Sequence, residues 1–246
     1  MKITYKMNTT FSKTLGKLKV PSALPVTEYD LVNQKAAQFA EMEKAKWFAF
    51  ASAWNAVAYR WRAMHEHASD FEMSIAKSSS PEVNKRFRQD HDLFVFVASA
   101  VSTVECFFFA SYSLASLINS AHFPISNESD LKFYPKSVAS LFQKSFPNDS
   151  ITSSMSSCIV APEWLFLQDL RNVLAHRGTP PRAHFLGNDG TDTPSAIPEN
   201  LKQLASDWQY NFSLTSGCLD DSRSYLDLTL RQLILDLASF ANLHIK

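Results

Sequence analysis

The stretch 93–118, LFVFVASAVSTVECFFFASYSLASLI, carries a single charged residue, Glu105. As a helix it is long enough to cross a bilayer. Two features turn the reading inwards. Ser99, Ser102, Ser111, Ser113 and Ser116 dilute its apolar character, and Glu105 falls near its middle, where a charge in hydrocarbon is costly. We therefore read it as the buried central helix of a bundle and expect no membrane association. Ser99, Ser102, Cys106, Ala110 and Ser113 form a stripe of small residues that lets another helix approach closely.

Working outwards, this second long helix starts near Pro81, after the break Ser78-Ser79-Ser80, and runs to about Ser120. Its first half (Glu82, Lys85, Arg86, Arg88, Asp90) is charged and solvated. Before it, Thr27 with Glu28 and Asp30 reads as a helix start. From there to about Lys77 the chain lacks Gly and Pro, so it forms one long helix or two with a bend. Trp47, Trp54 and Trp61 recur every seven residues and anchor one stripe of it in the core. Residues 121–160 are a connector punctuated by Pro124, Pro135 and Pro147, with a short helix near Ser137–Phe146 and a low-complexity loop at Thr152–Ser157. A third long helix follows Pro162 and stops at Gly178, with Arg177 in its last turn and Pro180-Pro181 just beyond. Residues 179–197 read as a loop turning at Gly187–Gly190, Glu199–Trp208 as a minor helix, and Ser222 to about His244 as the last long helix. Leu226, Leu228, Leu230, Leu233, Leu235 and Leu237 give that last helix a broad apolar face.

The fold class that follows is all-α, an antiparallel bundle of about four main helices with a long connector between the second and third. Residues 1–26 form a basic arm, irregular or a short strand, and residues 27–246 form the bundle domain. Composition agrees. Hydrophobic residues at 46% supply a core, and only 5 Gly argue against a turn-rich β fold and against Gly-rich phosphate loops. Lys+Arg and Asp+Glu are equal at 24 each, so any nucleic-acid contact must rest on a local patch. Three scattered cysteines (Cys106, Cys158, Cys218) show no zinc spacing and suit a reducing cytoplasm. The N-terminal lysines (Lys2, Lys6, Lys13, Lys17, Lys19) lack the apolar run of a signal peptide. Those lysines suit either RNA guidance or a plain soluble tail.

Chemistry concentrates at Arg171-Asn172-Val173-Leu174-Ala175-His176-Arg177-Gly178. At about 100° per residue, Phe166, Leu167, Leu170, Val173 and Leu174 form one apolar stripe on this helix. Arg171 lies beyond one edge of the stripe, Asn172 nearly opposite it, and His176 one turn beyond Asn172. The histidine therefore faces solvent or a partner surface. His titrates near neutrality and moves protons; Arg offers a fixed fork to a phosphate and stabilises charge developing on it. With RNA the 2′-OH is the nucleophile, so no activated side chain or metal-bound water is needed. The bland reading is that cations in a last helical turn simply complement the helix dipole.

The motif resembles the signature of the HEPN superfamily: an Arg, a polar residue directly after it, and a His after a short gap, here four residues. The Arg177-Gly178 that follows also looks like many members, as does a Ser-rich apolar second helix with a mid-helix Glu. The resemblance implies an all-α bundle, no metal or other cofactor, and a homodimer in which two motifs meet in one composite cleft. It also implies cleavage of RNA, as a toxin or antiviral effector with an antitoxin or defence-system partner. By that carry-over His176 is the general acid/base, Arg171 the phosphate contact and Asn172 the group that positions one of them; Glu105, Arg177 and Arg182 are accessory candidates on their position near the motif. One toxin subgroup carries a Tyr two residues after the His, where a partner enzyme modifies it; Gly178 stands here, so that route of neutralisation is not expected. The alternative is a catalytically inactive member serving as an interaction module in a defence or regulatory complex.

Other candidates are weaker. Glu105 either pairs with Arg171 across the second and third long helices or bonds to neighbouring Ser or Tyr in the core. His65-Glu66-His67 has no shared helical face and reads as surface residues, and His91, between Asp90 and Asp92, as exposed. His184, with Arg182, lies in the loop after the motif, and Cys106 reads as a small core residue.

Overall fold

A computed structural model describes residues 11–76, 83–125, 134–176, 184–186, 192–194 and 218–246. Among these, the helices are α1 (Val26–Ala37), α2 (Lys44–Ala76), α3 (Val83–Ile118), α4 (Pro135–Ser145), α5 (Ser150–Val160), α6 (Pro162–His176) and α7 (Asp220–His244). The fold is all-α in character. Two small antiparallel hairpins accompany it: β1 (Lys13–Leu15) with β2 (Leu18–Val20), and β3 (His184–Leu186) with β4 (Asp192–Pro194).

The centre is the hairpin of α2 and α3, the most extensively packed pair. Its direction is visible in its side-chain contacts. Going back along α2 from Ser74 through His67 and Arg60 to Trp54, the partner on α3 advances from Gln89 through Asp92 and Cys106 to Phe107. The helices are therefore antiparallel. Trp54 and Trp61 are fully buried; Trp47, nearer the start of α2, is only half-buried. Arg86–Ile118 is long and apolar enough to cross a membrane, yet 61% of its most apolar window is buried inside this fold. The helices α2, α4, α6 and α7 all pack on α3.

The first helical region is two helices, broken over residues 38–43. The first begins at Val26, with Pro25 as its N-cap, so Thr27 lies just inside it. A reciprocal pair locks α1 to α2. Tyr29 Oη donates to the Trp54 carbonyl (2.6 Å), Trp54 Nε1 donates to the Tyr29 carbonyl (3.2 Å), and the rings stack at 4.5 Å. The arm before it is partly regular. β1 and β2 turn at Gly16, whose φ of +57° is one that only glycine adopts without strain. Val20 and Leu24 are buried, and Lys13 Nζ donates to the Leu24 carbonyl.

The connector holds a larger departure from the sequence reading. Thr152–Ser157 is not loop but the middle of α5. Ile151, Thr152, Met155 and Cys158 are its buried positions and recur at helical spacing. Serine's weak helix propensity is overridden by that apolar face, as tertiary packing commonly does. Ser154 also donates to Asp236 on α7 (2.6 Å), which satisfies a buried carboxylate that Gln232 contacts as well. The short helix expected at 137–146 is α4. Within the stretch expected to be a loop, β3 pairs with β4. The expected turn at Gly187–Gly190 and minor helix at Glu199–Trp208 lie outside the described residues.

On α7, Leu226, Leu230, Leu233 and Leu237 are buried, whereas Leu228 is exposed and Leu235 half-buried. Aromatic rings seal the end of the bundle: Phe123 stacks on Phe146, and Phe142 and Phe240 pack edge-on or tilted against them. His244 joins them and pairs with Asp149 at 2.8 Å.

His65 corrects the expectation that His65-Glu66-His67 is a surface run. It is 2% exposed because it continues the inward face of Ala58 and Trp61. Asp227 of α7 accepts from both His65 Nε2 (2.8 Å) and Trp61 Nε1 (2.7 Å) through one carboxylate oxygen. Removing that oxygen strands two buried polar groups, at roughly 1–3 kcal/mol each before relaxation. Asp227→Ala is therefore expected to lower unfolding free energy by about 2–3 kcal/mol, read from urea denaturation followed by tryptophan fluorescence.

Candidate functional site

Helix α6 carries the motif, and its burial follows the sequence pattern. Trp164, Leu167, Leu170 and Val173 are buried; Phe166 and Leu174 are half-buried. The opposite stripe, Leu165, Asp169, Asn172 and His176, is exposed. Asn172 and His176 thus look away from their own core. His176 is the last residue of α6, where a cationic imidazole would favour the helix terminus.

Arg171 points differently. It lies on the flank facing α3, where its Nη2 is 3.7 Å from Glu105 Oε1. That separation is an ion pair rather than a hydrogen bond. The side chains are 35% and 38% exposed, so the contact is solvent-screened and adds little stability. Nε of Arg171 is shielded from solvent and has no hydrogen-bond partner among the described residues. The guanidinium fork is therefore only partly satisfied among the described residues.

A third group comes from α2. Arg60 reaches across to α3, where its Nη1 contacts Cys106 Sγ and its charge acts on Glu105. Sequence spacing did not reveal it: Arg60 joins the site only through the antiparallel register of α2 on α3. Two guanidiniums, from α6 and α2, thus act on one carboxylate of α3.

Burial dominates the acid–base character of the patch. It pushes the Glu105 carboxyl above its ordinary 4.5, against the lowering influence of Arg171 and Arg60. It likewise pushes the Cys106 thiol upwards, against Arg60, so Cys106 stays a thiol at neutral pH and is no nucleophile. Cys106 is half-buried rather than a core residue. Of the accessory candidates, Glu105 is brought to Arg171; Arg177 and Arg182 lie outside the described residues, as does the side chain of His184. His91 is exposed, as its flanking acids suggested, but it does not stand alone: with His67 and Asp92 it forms a cluster that the sequence reading missed.

No known protein family, curated protein or solved structure matches the chain.

The raised carboxyl of Glu105 has a defined effect on stability. The folded state holds its proton more tightly than the unfolded chain does. Glu105 therefore costs nothing below about 4.5 and becomes destabilising as pH rises through its raised folded value. Comparing Glu105→Gln with the parent chain by chemical denaturation from roughly pH 4 to 7, the balance is expected to shift towards the variant as pH rises. A difference independent of pH would contradict the assignment.

Proposed function

We propose that this chain is a HEPN-like, metal-independent endoribonuclease working as a homodimer. The observation that carries the reading is the division of the motif on α6: Arg171 is held at the flank beside Glu105 and Arg60, while Asn172 and His176 are left open to solvent. A structural role explains the buried face of α6 but assigns Asn172 no contact among the described residues, and His176 none beyond the end of its own helix. Arg171 and His176, five residues apart on a helix, lie on different sides of it. A second copy of α6 would bring the His of one chain towards the Arg of the other. The exposed Leu165, in the same stripe as Asn172 and His176, gives that face apolar area for such a contact.

In the proposed reaction the ribose 2′-oxygen attacks the adjacent phosphorus. The new O2′–P bond forms as the P–O5′ bond breaks, leaving a 2′,3′-cyclic phosphate and a 5′-hydroxyl. One His176 takes the 2′-OH proton, and the second His176 of the dimer protonates the departing 5′-oxygen. Arg171, with Arg60 beside it, stabilises the charge building on the non-bridging oxygens. Asn172, one turn before His176, orients the imidazole or holds a phosphate oxygen. The three free cysteines suit a reducing compartment, and we place the activity in the cytoplasm, as a toxin or antiviral effector held in check by a partner.

The test is cleavage of single-stranded RNA in EDTA, with folding monitored by circular dichroism. His176→Ala and Arg171→Ala are each expected to lower the rate by about 10²–10⁴. Gel filtration should give a dimer. Abolition by EDTA of a still-folded protein, or equal rates in all three proteins, would sink the proposal.

A further inference from the structure

At the far end of the α2–α3 hairpin from Cys106, three metal-ligating side chains converge. His67 comes from α2; His91 and Asp92 come from the charged first half of α3. One donor atom from each lies within 4.8 Å of the other two. His67 Nδ1 is 3.0 Å from Asp92 Oδ1, and His91 Nδ1 is 3.6 Å from the same oxygen. The two imidazole rings meet edge to face, with centroids 5.9 Å apart. They converge on a common point rather than stacking on one another.

We propose that His67, His91 and Asp92 form a binding site for a borderline divalent transition-metal ion, with Zn²⁺ the best fit. The donor set, two imidazoles and one carboxylate, is the nitrogen–oxygen chemistry that such ions take. Around a tetrahedral ion with bonds of about 2.0–2.1 Å, neighbouring donors sit about 3.3 Å apart. The two separations to Asp92 bracket that spacing. A hydrogen bond accounts for His67 on Asp92, but not for His91, whose 3.6 Å is too long. An ion at the focus accounts for all three donors at once.

The surroundings fit an accessible site. His91 is 53% exposed at the mouth, while Asp92 and His67 are 15% and 26% exposed and held by their helices. His91 and Asp92 also line an open cleft of about 520 Å³, with Asp70, Met73, Ser74, Phe87 and Arg88. Three protein donors leave a fourth position for water or an anionic group, and the cleft with Arg88 in its wall is where that group would sit. Because the donors span both strands of the hairpin, a bound ion cross-links α2 to α3 close to where the described part of each ends. This site is separate from the Arg171 patch, and the proposal does not depend on RNA cleavage.

The test uses full-length protein stripped with EDTA and dialysed, then titrated with Zn²⁺ by calorimetry and with Co²⁺ by visible absorption. One equivalent per chain is expected to bind, with an upward thermal shift and a Co²⁺ spectrum of low-symmetry, imidazole-ligated type. His91→Ala, at an exposed position that leaves the fold intact, and Asp92→Asn are each expected to weaken Zn²⁺ affinity by about tenfold or more. His122→Ala, a histidine outside the cluster, should bind as the parent does. Absence of stoichiometric binding, unchanged affinity in His91→Ala, or equal weakening in His122→Ala would overturn the assignment.

Discussion

Everything in this protein is arranged around the need to keep α3 out of water. A helix as apolar as residues 93–118 has no solvent-compatible face of adequate width, so it folds stably only when covered from several sides. The bundle supplies that cover from α2, α4, α6 and α7. The covering is directional as well as apolar. Trp54 packs on Phe107, Trp61 fixes Asp227 of α7, and Tyr112 donates to the Pro124 carbonyl where the chain leaves α3. Trp54, Trp61 and Tyr112 each donate from their polar end to a partner, as buried Trp and Tyr generally do, whereas Nε1 of Trp47 has none among the described residues.

The Arg171 patch is a by-product of that same cover. Glu105 interrupts the apolar run at the point where α3 turns partly outwards, and cations from two different helices gather there. Its carboxyl is pushed up by burial despite them, so desolvation outweighs attraction.

What the sequence revealed, and what it hid, divides along one line. Features set by a single segment were legible: the apolar stripe of α6, the exposure of Asn172 and His176, the span of α3, the helix at 135–145. Features set by the register between segments were not. Arg60 reaches Cys106, and His67 meets His91 and Asp92, only because α2 and α3 run antiparallel at one particular offset. His65 was mistaken for a surface residue because its neighbours are polar; its partner Asp227 lies 162 residues away. The Glu105–Arg171 contact is the exception. The isolation of Glu105 in an apolar run left two candidates, Arg171 or a neighbouring Ser or Tyr, and the structure has it beside Arg171. Residues 152–157 show the converse, a segment whose composition reads as loop but whose Ile151, Met155 and Cys158 already carried helical spacing.

The joint between α5 and α6 is a single residue, Ala161, whose extended backbone separates Val160 from Pro162. Such a joint has almost no slack. Pro162 fixes its own φ, and α5 is pinned to α7 through Ser154 and Asp236. With Trp164, Leu167, Leu170 and Val173 buried along its length as well, the motif helix is held at its base and along its inner face, so His176 is presented from a rigid mount rather than from a loop.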